Sequence, residues 1–351
     1  MADIASFNDK SLSPEERERV SALPPIERQD LIETVLVRYP SFKSASGFVS
    51  KFHRPVDGGR HGRGWVGALL GDTRAGKSFV LQDYRNRFTS ERINGGFTRP
   101  VVYVEVLNDM TAHDVASEFH LALGYSSVPK IKTATLMRND IAELEDHHVE
   151  LVILDDIDNA LSNPKSANNR LILGFIKGIL DSRTCNVLCS GRVALHRIIS
   201  GFNQVEGRGS LPHVFIKPYR WRVQSERIQI RFLLDEIDNR LPFREKAGLG
   251  DEDVAAHFYA ISGGLIGRMM NYVREAAYEA MNEGADRIER EHLVYAAKLR
   301  MAPGETFVPF KGKLDIERLD ADPDESAGRA DPKPAPVRKD MFDKKRPRKV
   351  K

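Results

Sequence analysis

The octapeptide Gly71-Asp72-Thr73-Arg74-Ala75-Gly76-Lys77-Ser78 sets a lysine and a hydroxyl directly after the second of two glycines. Glycine lets a backbone fold into a concave nest, and the N–H groups of such a nest face phosphate oxygens. An apolar run precedes the octapeptide and a helix-like run follows it, so the positive end of a helix adds to the attraction. In that context Lys77 reaches the β- and γ-phosphates and Ser78 ligates Mg²⁺. The stretch Gly71 to Ser78, with Phe79 beside it, is therefore predicted to hold ATP and Mg²⁺. The alternative is a plain glycine turn.

A phosphate loop requires a second feature, an apolar strand ending in a carboxylate near the metal. Leu151-Val152-Ile153-Leu154-Asp155-Asp156 supplies it. Asp155 is the candidate metal-shell ligand, and Asp156 the candidate base that polarises an attacking water. The alternative is an acidic turn after a strand, and Asp158 nearby carries no assigned role. Ser190-Gly191 ends the next apolar run. Ser190 is a candidate to hold the water between Asp156 and the γ-phosphate, or else a turn serine. Arg208, in Gly207-Arg208-Gly209, and Arg268, in Gly267-Arg268, are candidates to neutralise transition-state charge.

These groups need a scaffold. Short apolar runs recur at Trp65–Leu70, Val101–Leu107, Leu151–Leu154, Asn186–Cys189 and His213–Ile216, with helix-length segments between them. Alternation of strand and helix predicts a five-stranded parallel sheet flanked by helices, with Val and Ile marking strands buried on both faces. From about Arg222 the strands stop. Segments 223–240, 251–262, 265–283 and 288–299 read as helices, with Gly263-Gly264 breaking one pair. The expected organisation is a helical extension over 1–56, an α/β nucleotide-binding domain over 57–221, a helical lid over 222–302, and a largely disordered basic tail over 303–351. Ser13-Pro14-Glu15-Glu16 has the composition of a helix start.

Composition sets limits. The 351 residues carry 53 basic and 50 acidic side chains, a net +3, which permits nucleic-acid binding without arguing for it. No apolar run approaches the roughly 20 residues of a membrane span, and no apolar signal core occurs near Met1. Cys185 and Cys189 share one apolar segment and are expected to be buried thiols of a reducing compartment. A cytoplasmic, nucleoid-associated bacterial protein without a membrane partner is the expectation.

The ordered set goes further. The phosphate loop, the acid-ended strand, the polar end of the fourth strand, Arg208 before the fifth and Gly267-Arg268 in a helical lid resemble an AAA+ P-loop NTPase. Ser13 to Arg17, Arg38-Tyr39-Pro40, the helix from Leu161 to Leu180, Tyr219-Arg220-Trp221 and Ser262 to Arg268 resemble the TniB/TnsC family in particular. That family comprises the AAA+ regulators of transposition in Tn7-like and Tn5053-like mobile elements, and it is similar to MuB. The resemblance covers about residues 12 to 300. It implies ATP binding, head-to-tail homo-oligomers as rings or helical filaments around double-stranded DNA with little sequence preference, and hand-over of a target site to a DDE transposase (TniA/TnsB-like). It also implies a TniQ-like adaptor. Arg208 would be the finger reaching a neighbour's γ-phosphate, and Arg268 the lid arginine acting on its own subunit's nucleotide. Two residues depart from the family pattern. Asp156 stands where Glu is usual, one methylene shorter, which predicts slow hydrolysis. Arg192 follows Ser190-Gly191 where a small hydroxyl residue is common.

For DNA, the resemblance points to the region after the second strand of the sheet. Lys130, Lys132 and Arg138 there supply charge, and Thr133 and Thr135 supply hydrogen bonds to phosphate. The alternative is a solvated basic helix end. The terminal Lys344-Lys345-Arg346-Pro347-Arg348-Lys349-Val350-Lys351 is a DNA-binding, partner-docking or solubilising element. Two other classes compete with the regulator: a remodeller such as a helicase loader or initiator-like ATPase, and a nucleotide-binding signalling switch. No nuclease or transposase constellation occurs, and His147-His148 has no metal-ligand spacing.

Overall fold

Val66–Gly71 has no side chain that demands water, and all six of its positions are buried. That pattern belongs to a strand covered on both faces. In the computed structural model this segment is β1, near the middle of a parallel sheet. Residues 7–93, 96–161, 166–201, 210–304, 306–312, 314 and 319 are described. The sheet strands are β1, β4 (Val101–Glu105), β5 (Leu151–Asp155), β6 (Asn186–Gly191) and β7 (His213–Ile216). Their spatial order is β4-β5-β6-β1-β7 and every pairing is parallel. The five expected strands are present within a residue or two of their expected ends. A small antiparallel pair, β2 (Arg92–Ile93) with β3 (Gly96–Phe97), was not anticipated.

Parallel pairing brings the carboxyl ends of all five strands to one edge, where open α/β sheets bind ligands. The register sets Glu105 beside Asp155, Leu70 beside Gly191 and Leu154 beside Cys189. Helices α4 (Lys77–Arg85), α5 (Ala112–Leu123), α6 (Thr133–Asp146), α7 (Ala167–Ser182) and α8 (Ala194–Ser200) flank the sheet. Thr111 and Asp114 form a capping box that starts α5. The same helix packs its Phe119 edge-on against Phe175 of α7 at 5.0 Å. Cys185 and Cys189 are both buried free thiols in this core.

Four helices follow the sheet: α9 (Gln224–Asp238), α10 (Glu252–Ser262), α11 (Ile266–Asn282) and α12 (Arg290–Lys298). Residues 306–312 differ from the expectation of a polar tail. Phe310 is fully buried, its N–H donates to His257 Nδ1 at 3.2 Å, and the carbonyl of Gly312 lies 3.0 Å from His257 Nε2. The cause is Phe310 itself, whose ring packs against His257 and Phe258, while Phe307 stays exposed. Two compact units are distinguished, Met1–Leu314 and Asp315–Lys351, and every element named here belongs to the first. The basic terminal cluster lies outside the described residues. Among the described residues no helix is long and apolar enough to cross a membrane.

Before the sheet come α1 (Pro14–Ser21), α2 (Pro25–Glu33) and α3 (Pro40–His53), each with proline in its first turn. Ser13 and Glu16 form a full capping box at α1. The buried Arg17 guanidinium ties α1 to the helical region. It donates to the carbonyls of Asp238 at 2.6 Å, Phe243 at 3.1 Å and Glu245 at 3.3 Å. Asn8 reinforces the joint by donating to Leu31 O at 3.1 Å and Arg240 O at 3.0 Å. Truncating Arg17 leaves buried carbonyls without donors. Arg17→Ala is therefore expected to cost about 2–4 kcal/mol of unfolding free energy in a urea titration, with Arg17→Lys intermediate.

Candidate nucleotide site

β1 ends at Gly71 and the chain turns through Asp72 to Ala75, whose N–H donates to Asp72 O at 3.1 Å. Gly76 has φ 96°, a left-handed conformation that favours glycine. The Tyr39 hydroxyl also lies so close that a Cβ at this position would sit 2.8 Å from it. Helix α4 then begins at Lys77. The buried Lys77 ammonium donates to Gly71 O at 3.1 Å and Asp72 O at 3.2 Å, and lies 3.5 Å from Asp156 Oδ1.

Asp155, the last residue of β5, is fully buried. Both of its carboxylate oxygens are occupied by hydroxyls from the strands on either side. Tyr103 of β4 donates to Oδ2 at 2.7 Å, and Ser190 of β6 donates to Oδ1. The Ser190 oxygen in turn accepts the Asp156 N–H at 3.1 Å. Burial, and then the Asp155 charge, drive the Tyr103 phenol far above its usual range, so it stays a donor. Asp156 turns out of the strand with φ 50°. Burial first, then the Asp155 charge, push its carboxyl above the ordinary range, and Lys77 opposes them. Burial also raises Glu105, with Asp155 and Asp156 adding to it.

A cavity of about 700 Å³ opens over this edge. Thr73, Arg74, Gly76, Lys77, Ser78 and Phe79 form its phosphate-loop wall, and Asp156 and Arg192 line it as well. Val35, Val37, Tyr39 and Phe42 from the N-terminal extension make an apolar wall, continued by Ile237, Ile266 and Met270 from the helical region. An apolar wall joined to a cationic loop suits a ligand with a flat apolar part and an anionic part. The backbone N–H of Gly267 donates to Arg74 O at 2.9 Å, which fastens α11 to the phosphate loop.

The structure thus brings Lys77, Ser78, Asp155, Asp156 and Ser190 together. It sets Ser190 on Asp155 and away from the cavity wall. Gly71 and Ala75 are buried behind the loop, while Asp72 is exposed and contributes its carbonyl. Arg268 is exposed and does not line the cavity. Arg274, on the same helix, does line it, with Nη2 donating to Glu33 O at 2.9 Å and a buried Nε that has no hydrogen-bond partner. Arg208 lies outside the described residues. Lys130, Lys132 and Arg138 are exposed at the start of α6, Thr133 and Thr135 are half-buried, and none of the five borders the cavity. Thr133 Oγ1 lies 3.3 Å from His113 Nδ1.

Sequence reasoning missed Tyr103, Arg274 and the apolar wall at 35–42. Tyr103 carried a signal: it is a polar-tipped side chain set between valines of β4, and its neighbour in register is Ile153, two residues before Asp155. Arg274 carried none, because its role depends on how α11 lies against the loop.

A five-stranded parallel sheet in this order, a phosphate loop after its β1 and a helical region behind the cavity define an AAA+ ATPase fold. Similar solved structures agree. Cdc6p from Pyrobaculum aerophilum matches with a TM-score of 0.54 at 15% identity, over 77% of this chain and 70% of that one. The Aeropyrum pernix ORC1 protein in complex with DNA matches with 0.53 at 17% identity, over 80% and 66%. The Aeropyrum pernix ORC2 protein, in ADPNP–ADP complexes, matches with 0.52 at 16% identity, over 73% and 67%. The sequence pattern of the bacterial TniB protein family matches residues 33–215, and the chain belongs to that family. No curated protein matches it.

The clamp on Asp155 is testable apart from any ligand. Tyr103→Phe leaves a buried carboxylate oxygen without its donor and is expected to destabilise the fold by about 1–3 kcal/mol in chemical denaturation. An unchanged midpoint and slope would show that Asp155 does not depend on the phenol.

Proposed function

We propose that this protein is an ATP-switched, DNA-binding AAA+ regulator of transposition. In this reading it oligomerises on target duplex and hydrolyses ATP slowly to disassemble. One observation carries it: in a TniB-family chain, Lys77 of the phosphate loop lies 3.5 Å from Asp156 on the lining of a cavity whose other walls come from the N-terminal extension and the helical region. The similar proteins include one with ADPNP and ADP and one with DNA, which supports nucleotide and duplex as the two ligands.

In the mechanism, the backbone of Gly71 to Ser78 cradles the phosphates, and Lys77 neutralises charge on the β- and γ-oxygens. Among the described residues no cluster of acidic, His or Cys side chains holds a metal by itself. The donors present are the Ser78 hydroxyl and Asp155, whose oxygens are already hydrogen-bonded. That set fits Mg²⁺, which keeps its waters and takes further ligands from phosphates. Bound there, Mg²⁺ supplies electrostatic stabilisation of the phosphoryl oxygens. Asp156 accepts the proton of the attacking water, and Ser190 fixes the Asp156 backbone through its N–H. Arg268 of α11 takes the lid cation's part, and Arg274 on the same helix, which lines the cavity, is a second candidate for it. Arg208 serves as the finger to the neighbouring protomer. Lys130, Lys132, Thr133, Thr135 and Arg138 form the duplex-facing surface, and a DDE transposase and a TniQ-like adaptor are the protein partners. A second reading, an initiator-like remodeller, is favoured by the likeness to the Cdc6 and ORC proteins. Brisk turnover would support it over the slow switch.

Electron microscopy of the protein with duplex DNA and ATP, ADP or no nucleotide tests the proposal. Ordered assemblies are expected with ATP alone, and Lys77→Ala is expected to weaken ATP binding by roughly 10- to 100-fold and to abolish them. A monomer that ignores duplex under all three conditions would refute the reading. Asp156→Glu is expected to speed phosphate release, since the added methylene carries the base toward the water; an equal or lower rate counts against the short-reach explanation. A base with a raised pKa loses its charge early as pH falls. The acid limb of kcat/KM should therefore lie above the ordinary aspartate value of about 3.9.

A further inference from the structure

Gly191, the last residue of β6, borders a carboxylate that no strand-end role explains. A Cβ there would sit 2.3 Å from Asp158 Oδ1 and 2.9 Å from its Cγ. Glycine at this position therefore makes room for Asp158, which lies in the short turn Ile157–Asn159 after β5. The Asp158 side chain is only 4% exposed, and its Oδ2 accepts from Arg192 Nε at 2.7 Å. The Arg192 side chain is 59% exposed on the cavity wall that also carries Asp156. An ordinary surface pair is worth little. Here the acid is buried and the cation is presented, so the carboxylate fixes one edge of a rigid guanidinium and leaves its other edge for a ligand. Among the described residues Asp158 is the sole hydrogen-bond partner of that guanidinium. Ser190, the other polar residue at this strand end, is fully buried and spent on Asp155 and the Asp156 backbone.

We propose that Arg192, aimed by Asp158 across Gly191, is a cation that meets the terminal phosphate of ATP from the β6 side, opposite Lys77. The proposal rests on the nucleotide reading above. Arg192 is the contacting residue and Asp158 the positioning residue. This arrangement makes affinity sensitive to the γ-phosphate in particular, because the guanidinium lines the same cavity as Asp156, which the mechanism assigns to the attacking water.

The test is calorimetric titration of the full chain, with Mg²⁺, against ADP and against a non-hydrolysable ATP analogue. Arg192→Ala is expected to lower affinity for the analogue roughly tenfold or more and to leave that for ADP unchanged. Arg192→Lys keeps the charge but not the fork, and should recover part of the loss. Asp158→Asn should reproduce the selective loss, and the double variant should be no worse than Arg192→Ala alone. Arg192 is exposed enough that its variants are expected to fold, which a wild-type-like thermal transition verifies. An analogue-to-ADP ratio unchanged in Arg192→Ala overturns the proposal, as does a loss in Asp158→Asn that Arg192→Ala lacks. A wild-type chain that binds neither nucleotide overturns the nucleotide reading itself, and this proposal with it.

Discussion

A fully buried carboxylate has to be compensated, and Asp155 is the charge around which this structure is organised. An isolated carboxylate removed from water carries a large desolvation penalty, which charge-assisted hydrogen bonds must offset. Both bonds come from strands flanking β5, so the compensation exists only if β4, β5 and β6 pair in register. The sheet therefore positions Asp155, and Asp155 in turn ties together the edge of the sheet at which the phosphate loop ends. Asp156 follows from the same constraint. Its N–H is held by the hydroxyl that donates to Asp155, and its side chain is thereby turned toward Lys77.

The cavity is completed from far away in sequence. Its apolar wall uses residues before the sheet and residues after it, and these two regions are fastened to each other independently of any ligand. Arg17 and Asn8 bond to the helical region, and Arg274 and Tyr278 of α11 bond to Glu33 at the end of α2. Arg38 adds a link back to the nucleotide-binding core through buried Asp83 of α4 at 2.6 Å. The extension is thus a strut between the phosphate-loop helix and the helices behind the cavity.

The geometry of the phosphate-loop end was legible in the sequence because it is local. Two glycines, a lysine and a serine at fixed spacing encode a loop conformation directly, and an apolar run ending in Asp-Asp encodes a strand end. The inner strands β1, β5 and β6 were legible because double-sided burial leaves continuous apolar runs. What was not legible depends on approach between distant segments. Tyr103 acts through a neighbouring strand, Asp158 reaches Arg192 only because Gly191 has no side chain, and Arg274 enters the cavity only because the N–H of Gly267 docks on Arg74. Phe310 was not legible as core because it stands in a short segment ahead of a polar, charged stretch, and its burial depends on the distant His257 and Phe258.

Three chain regions lining one cavity have a thermodynamic consequence. A ligand that touches the phosphate loop, the extension and α11 together stabilises their mutual arrangement by RT ln(1 + [L]/Kd), because it binds that arrangement and not the separated parts. Reciprocity then requires that anything pressing α11 or the extension into the same arrangement tighten the ligand by an equal factor. Any molecule that packs on those elements has this effect without touching the ligand in the cavity. The Gly267–Arg74 and Arg274–Glu33 bonds are where such pressure is transmitted, since each joins a cavity-lining residue to the element beside it. Coupling between the cavity and whatever packs on these elements therefore needs no long pathway in this fold; the elements that line the cavity are those held by the strut.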